Sequence, residues 1–149
     1  MVYCFVKRFF EKIFEKVLNM GLDMYLYGVK QEFDKHDYNI GGYKESTEIG
    51  YWRKANQIHA WFVECCQDGI DNCATYCVSK EDLKALMDRC EDVLLEPNRA
   101  EELLPTQSGF FFGDTSYDEY YFEDIRDTIE ICKWALAQDF DYFEYHSSW

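Results

Sequence analysis

The densest group of residues with binding chemistry lies between positions 51 and 63. Its aromatic and polar members are Trp52, Arg53, Lys54, Asn56 and His59. On a helix turning about 100° per residue, the indole, the amide and the imidazole share one stripe. The two cations would stand at the first turn, where a helix N-terminus adds partial positive charge and free N–H groups. The pattern therefore predicts an anion-binding groove, and the alternative is that the cations pair with surface acids while the stripe borders the core.

A second candidate segment surrounds a phenylalanine triplet, Phe110–Phe112. It contributes Thr106, Gln107 and Ser108 before the triplet and Tyr117 after it. Hydroxyl and amide groups next to glycines allow a loop to approach a ligand closely. The triplet itself predicts a short buried strand between Gly109 and Gly113. The run matches neither a Walker A loop nor a nucleophile elbow, so the alternative is that the glycines only bound a core strand.

The last candidate residues are His146 and Trp149 at the C-terminal end. A terminal tryptophan beside a free carboxylate either caps a pocket or seals the edge of the core. Both readings remain open at the level of sequence.

Metal and catalytic patterns are weak. Four cysteines lie close together in sequence without the paired C-x2-C spacing of zinc sites; these are Cys65, Cys66, Cys73 and Cys77. We therefore predict no metal and no cofactor. The three histidines are scattered, and no nucleophile stands at a recognisable spacing from a base. Catalysis, with His59 as general base and Ser108 or a tyrosine as partner, is the least favoured function.

The charge balance narrows the classes of partner. The 149 residues carry 29 acidic and 15 basic side chains, a formal net charge of −14. A nucleic-acid binder needs the opposite field to release counterions from phosphates, so direct binding of DNA or RNA is disfavoured. No apolar run reaches the length of about 18 residues that a membrane span requires. Seven cysteines, an odd number in a chain that needs no disulfides, indicate reduced thiols in a cytoplasm.

The periodicity predicts an α+β fold, with a small sheet of three to five strands packed against three core helices. Strands are expected at residues 21–29, 110–112 and 140–146, and helices at residues 52–67, 80–96 and 118–137, with a short connecting stretch at residues 74–78. Ser79 and the acids after it are typical of a helix N-cap. Residues 30–50 lack sustained periodicity and predict a long loop with at most a short hairpin.

Residues 1–19 differ in kind from the rest and predict an amphipathic helical extension to a single domain at residues 20–149. Its apolar stripe is Val6, Phe9, Phe10, Ile13, Phe14 and Val17. Exposing several hundred Å² of such surface would cost several kcal/mol at about 25 cal/mol per Å². We expect the stripe to dock on a second copy and form a homo-oligomer. The alternatives are packing on the domain, contact with a membrane surface, and an upstream extension of a protein that starts at Met20.

Several longer strings carry a family resemblance. They are MGLDMYLYG (20–28), YWRKANQIHAWFV (51–63), LLPTQSGFFFG (103–113), YDEYY (117–121) and the closing SSW (147–149). With these strings the chain, over about residues 20–149, resembles a family of small proteins encoded by bacteriophages and prophages. The resemblance implies a setting, the cytoplasm of an infected bacterium, and it implies no reaction.

Two classes of function follow for a phage-encoded counter-defence or host-takeover protein. In the first, the protein sequesters a small anionic ligand such as a nucleotide, with Trp52 stacking on the base and Arg53 and Lys54 meeting the phosphate. Asn56, His59, Gln107 and Ser108 would then bind the polar edges of the ligand. In the alternative, the acidic surface imitates nucleic acid and occupies a basic cleft on a host enzyme.

Overall fold

The computed structural model describes residues 20–32 and 43–149, so the predicted N-terminal helix lies outside the described residues. Four strands form one antiparallel sheet in the order β2-β1-β4-β3. The strands are β1 (Asp23–Glu32), β2 (Tyr43–Arg53), β3 (Thr75–Val78) and β4 (Tyr142–Ser148). The helices are α1 (Asn56–Cys66), α2 (Lys80–Leu95), α3 (Ala100–Leu103) and α4 (Glu119–Ala137), with a 3-10 turn at Pro97–Arg99. The predicted α+β class is confirmed.

Strand β1 occupies the centre of the sheet and explains its two faces. Met24 and Leu26 are fully buried, whereas Tyr25 and Tyr27, which alternate with them, lie on the other face and are partly exposed. This is the period-two alternation of a strand with one face against the core. The buried face packs against α1, α2 and α4, and its side chains belong to the same apolar cluster as those of the helices. The opposite face, called here the outer face, carries the tyrosines.

The predicted helix starts at α2 and α4 are confirmed. The Ser79 hydroxyl accepts from the Asp82 N–H at 3.0 Å, and the Asp82 carboxylate accepts from the Ser79 N–H at 2.9 Å, which completes a capping box. Asp118 caps α4 by accepting from the Tyr121 N–H at 3.1 Å. Both helices then bury the apolar stripes that their sequences predict. No helix of the described part of the chain is long and apolar enough to cross a membrane.

Two sequence predictions about β2 are wrong. A loop is expected at residues 30–50, but residues 30–32 belong to β1 and residues 43–50 to the 11-residue strand β2, while residues 33–42 lie outside the described residues. Helix α1 begins at Asn56, not at residue 52. Trp52 and Arg53 therefore belong to the sheet and do not share a helical stripe with His59. The reason is that β2 is an edge strand, half exposed and rich in charges, so its alternation is diluted. A turn at Lys54, whose φ is +59°, separates strand from helix.

The expected phenylalanine strand is also wrong. Residues 105–117 form an irregular segment, called here the 105–117 loop, in which only Phe112 of the triplet is buried. Phe111 has a φ of +58° and Gly113 a φ of +93°, so the backbone turns where a strand would continue. Phe110 remains 73% exposed. Three consecutive apolar residues form a buried strand only where a neighbouring strand pairs with their backbone. Here the loop contacts itself and α1 instead.

Candidate functional site

The structure distributes the predicted site residues over separate places and does not bring them together in one pocket. Some line a surface cleft, some are buried hydrogen-bonding residues, and one lies on the outer face of the sheet. The cleft contains Arg53, Lys54 and Thr106; the buried set comprises Trp52, Asn56 and His59; the outer face carries His146. Gln107, Ser108, Tyr117 and Trp149 lie in the loop and at the C-terminus.

The cleft lies between the end of β2, the 105–117 loop and the first turns of α4, and has a volume of about 430 Å³. Two cationic side chains, Arg53 and Lys54, line it. Five carboxyl groups share the same walls; they belong to Asp114, Asp118, Glu123, Asp124 and Asp127. Tyrosines at the start of α4 add aromatic surface. Carboxyl groups therefore outnumber cations in the one place where the predicted basic residues are found.

Lys54 reaches the cleft through a constrained backbone. Its φ of +59° is uncommon for a residue with a side chain, and its N–H donates to the Leu22 carbonyl at 2.8 Å. The side chain passes close to two glycines. A Cβ at Gly113 would lie 3.0 Å from the Lys54 Cβ, and one at Gly21 would lie 2.8 Å from the Lys54 Cε. The glycines around Lys54 thus leave room for its side chain.

Asp124 is the cleft carboxyl group that the fold perturbs most clearly. Its pKa is raised to about 6, chiefly by burial and also by the nearby Asp127, Glu123 and Asp118, while the hydrogen bond from Gln57 opposes the shift. The Gln57 amide donates to Asp124 at 3.4 Å. Because burial and the other acids disfavour the ionised form of Asp124, any cation that enters the cleft would stabilise that form.

The Asp114 carboxylate is fixed in place by the backbone around it. It accepts from the Ser116 N–H at 2.8 Å and from the Ser116 hydroxyl at 2.6 Å. These hydrogen bonds hold the pKa of Asp114 below its ordinary value. With Asp118 serving as the N-cap of α4, two of the five carboxylates have a structural role as well as a position in the cleft.

Asn56 binds the protein itself, which sequence reasoning could not show. Its side-chain amide donates to the carbonyls of Phe112 (3.1 Å) and Asp114 (2.9 Å), and its side-chain oxygen accepts from the Gln107 N–H at 2.9 Å. The side chain is 1% exposed. Asn56 therefore fastens the 105–117 loop to the start of α1 and leaves no polar atom for a ligand.

Trp52 is likewise part of the core. Its indole N–H donates to the Thr128 hydroxyl at 2.9 Å, and this hydroxyl donates to the Asp124 carbonyl at 2.6 Å. The ring is 4% exposed and packs edge-on against Phe62 at 6.1 Å. A ring buried in this way offers no face for stacking on a base.

His59 lies in a buried chain of hydrogen bonds. Its Nδ1 is 2.8 Å from the Tyr145 hydroxyl and its Nε2 is 3.0 Å from an Asp71 carboxylate oxygen. Because burial raises the pKa of Tyr145 well above its ordinary value, its hydroxyl stays protonated and can donate to Nδ1. The Trp149 indole N–H donates to the other Asp71 oxygen at 3.0 Å. Both ring nitrogens of His59 are occupied, so the imidazole cannot accept a proton from a substrate in this arrangement.

The remaining predicted residues have smaller roles. The Tyr117 hydroxyl accepts from the Thr106 N–H at 3.1 Å, and the Thr106 hydroxyl donates to the Thr115 carbonyl at 2.9 Å, so these side chains brace the loop. Ser108 is exposed. Trp149, 52% exposed, lies edge-on against Phe112 and covers the Asp71 end of the His59 chain.

Sequence reasoning missed the outer face of the sheet, where aromatic rings from three strands meet. Tyr25 of β1 is paired with Tyr51 of β2 and with His146 of β4. Its ring centroid lies 5.3 Å from that of Tyr51 and 6.1 Å from that of His146. The alternation in residues 22–27 did signal that tyrosines share one face, but the pairing across strands is not readable from one sequence.

Comparison with known proteins adds no family, since no protein-family model, no curated protein and no solved structure matches the chain. Within the described ranges, no group of three or more His, Cys, Asp or Glu side chains is arranged to hold a metal ion.

Proposed function

We propose that this protein is an acidic protein-binding inhibitor that occupies a basic, nucleic-acid-binding surface on a partner enzyme. The observation that carries the proposal is the cleft, in which five carboxyl groups stand against two cations. The whole chain has the same imbalance, with a formal net charge of −14. Complementary charge steers association and disfavours wrong partners, so a strongly acidic surface selects a basic one.

The arrangement of acids on α4 supports a partner that normally binds phosphates. Glu119, Glu123 and Asp127 follow one another at every fourth position, which places them on one stripe of the helix about 6 Å apart along its axis. Glu119 already pairs with Arg126, so Glu123 and Asp127 are the members of the stripe on which the proposal depends. Enzymes that act on nucleic acids hold the phosphate backbone with rows of Lys and Arg. A row of carboxylates on a rigid helix offers the same cations an alternative set of partners.

The resemblance to small phage and prophage proteins gives the proposal its biological setting. A phage-encoded protein acts in the cytoplasm of an infected bacterium, where the partner would be a host enzyme. Blocking such an enzyme would be an act of counter-defence or host takeover, and it requires binding without catalysis.

The experiment that tests the proposal is capture of a partner followed by competition with DNA. The full-length protein is immobilised, exposed to a bacterial lysate at low salt, and eluted at high salt. We expect a basic nucleic-acid enzyme in the eluate, and we expect duplex DNA to compete with the immobilised protein for that enzyme. Capture that salt does not reverse, or an enzyme that binds DNA and this protein at the same time, would contradict the proposal.

A second candidate function is the sequestration of a small anionic ligand. The observation in its favour is Lys54, held in the cleft by a left-handed backbone next to Arg53 and the Thr106 hydroxyl. It ranks second because the surrounding carboxylates repel an anion. Calorimetric titration with cyclic and linear nucleotides decides between the two functions, since heat that is lost in Lys54→Gln would favour the small ligand.

A further inference from the structure

We infer that the outer face of the sheet binds an extended, arginine-bearing segment of the basic partner. This inference rests on the proposed function and names a second surface through which the partner is held. Among the described residues, the helices pack on the opposite side of the sheet, where they share the core with the inward side chains of β1 and β4.

The strand register places two rows of side chains next to each other on this face. The first row is aromatic and runs Tyr51–Tyr25–His146 across β2, β1 and β4. The second row runs Glu48–Tyr27–Glu144 across the same strands. The rings of Tyr25 and Tyr27 lie 6.4 Å apart and nearly parallel, at 22°, so the rows form one continuous surface.

This combination of groups fits a guanidinium ion. Arginine stacks its flat cation on an aromatic ring and forms paired hydrogen bonds with a carboxylate. Tyr27 offers such a ring between two carboxylates, of which Glu48 is exposed and Glu144 already pairs with Lys44. A lysine ammonium cannot stack and bond in the same flat geometry, so the surface favours arginine over lysine.

The charges on the face argue against a nucleic acid as the occupant. Bases do stack on the aromatic side chains of some four-stranded sheets. Here, however, Glu48 and Glu144 border the aromatic row on one side, and Asp23, which accepts a hydrogen bond from the Tyr51 hydroxyl, lies on the other. Two cations stand among these three carboxylates, Arg53 in register with Asp23 and Lys44 paired with Glu144, so negative charge is still in excess. Phosphates following a line of stacked bases would meet these carboxylates.

The test uses the full-length protein and three defined probes. They are a short arginine–glycine peptide, the same peptide with lysine in place of each arginine, and a single-stranded RNA oligonucleotide. Binding is measured by calorimetry and by chemical-shift changes at β1. We expect the arginine peptide to bind more tightly than the lysine peptide, with shifts centred on Tyr25 and Tyr27, and the RNA not to bind.

Two variants and their controls locate the binding. Tyr27→Leu and Glu48→Gln should each weaken binding of the arginine peptide by about fivefold, the size expected for an exposed cation–π contact or ion pair. The controls remove the same group types elsewhere, Phe110→Leu on the exposed loop and Glu64→Gln on α1, and should leave the affinity unchanged. Glu48→Gln changes only an exposed side chain, so it keeps the test valid if Tyr27→Leu fails to fold.

Three results would overturn the inference. The first is that the two peptides bind with equal affinity, or that the variants and the controls lose the same affinity for the arginine peptide. The second is that the RNA binds more tightly than the arginine peptide. The third is a dimer of the full chain, seen by light scattering, that Tyr27→Leu dissociates, because a second copy would then be the occupant.

If the peptide fails to bind while the lysate still yields a basic enzyme for which DNA competes, the inference is wrong and the proposed function stands. If neither binds, both fall.

Discussion

Asp124 links the charge of the cleft to the stability of the fold. An aspartate in an unfolded chain has a pKa near 3.9, whereas burial raises the pKa of Asp124 in the folded protein to about 6. Between these values the folded state binds more protons, so the contribution of this group to stability falls as pH rises from about 4 to about 6. Asp124→Asn removes that cost and keeps an acceptor for Gln57.

We therefore predict that Asp124→Asn raises the free energy of unfolding by about 1 kcal/mol at pH 8, a value reduced because the side chain is partly exposed. Below about pH 4 the substitution should leave the free energy of unfolding unchanged. Urea unfolding at the two pH values measures the difference. Asp92→Asn, an exposed carboxyl group on α2 that is not among the causes of the Asp124 shift, is the matched control and should show no such gain. A gain of equal size at both pH values would show that burial of the charge is not its cause.

The hydroxyl of Thr128 accepts a hydrogen bond from the Trp52 indole, which is buried in the core. In Thr128→Val the Trp52 N–H loses its acceptor inside the core, and we expect a loss of about 1–3 kcal/mol in the free energy of unfolding. Thr128→Ser, which keeps the hydroxyl, should cost less. The comparison is made by urea unfolding followed by circular dichroism, and equal losses in the two variants would contradict the role given to the hydrogen bond.

Single residues also show why the candidate site could be predicted only in part. The helical periodicity correctly predicts that Asn56 and His59 lie next to the core. It does not indicate whether their hydrogen-bond partners belong to a ligand or to the protein. Tyr145 is 86 positions from His59, and the Phe112 carbonyl is 56 positions from Asn56. Such partners depend on the tertiary fold. Arg53 and Lys54 did reach a cleft, because a turn between strand and helix leaves both side chains at the surface.

Among the elements, the 105–117 loop depends on one side chain for its position. We predict that Asn56→Ala accelerates amide hydrogen exchange in this loop by at least about tenfold, because three hydrogen bonds to its backbone are lost together. Peptide-level exchange with mass spectrometry measures it. Exchange in α2, which has no part in the three hydrogen bonds of Asn56 to the loop, is the internal control, and unchanged protection of the loop would refute this role of Asn56.

The elements that were predictable are those whose signals are local. Helices α2 and α4 have caps within three residues of their start and apolar stripes along their length, so sequence alone located them. Strand β2 escaped prediction because residues 44–48 of this edge strand are all exposed and include charges, so no apolar alternation marks its first half. The loop with the phenylalanine triplet was misread because apolar content alone does not indicate whether a neighbouring strand is present.

For the whole molecule, the N-terminal residues 1–19 carry a prediction that the described residues do not test. Their apolar stripe is expected to dock on a second copy, so the full-length chain should be a dimer or larger at tens of micromolar. Deleting residues 1–19 should give a folded and more soluble monomer. Light scattering and circular dichroism check this, and a monomeric full-length chain or an unfolded truncated one would show that the segment belongs to the domain.

The binding role of the cleft carboxylates is tested by the affinity of the captured basic enzyme for a charge-matched pair of variants. One variant carries Glu123→Gln and Asp127→Asn in the cleft; the other carries Glu64→Gln and Asp92→Asn on α1 and α2, and both remove two negative charges. We predict that the cleft variant binds at least about tenfold more weakly at low salt, with a smaller dependence on salt, while the control differs little from the unmodified protein. Equal weakening of the two variants would show that net charge alone holds the partner and would contradict a binding role for the cleft.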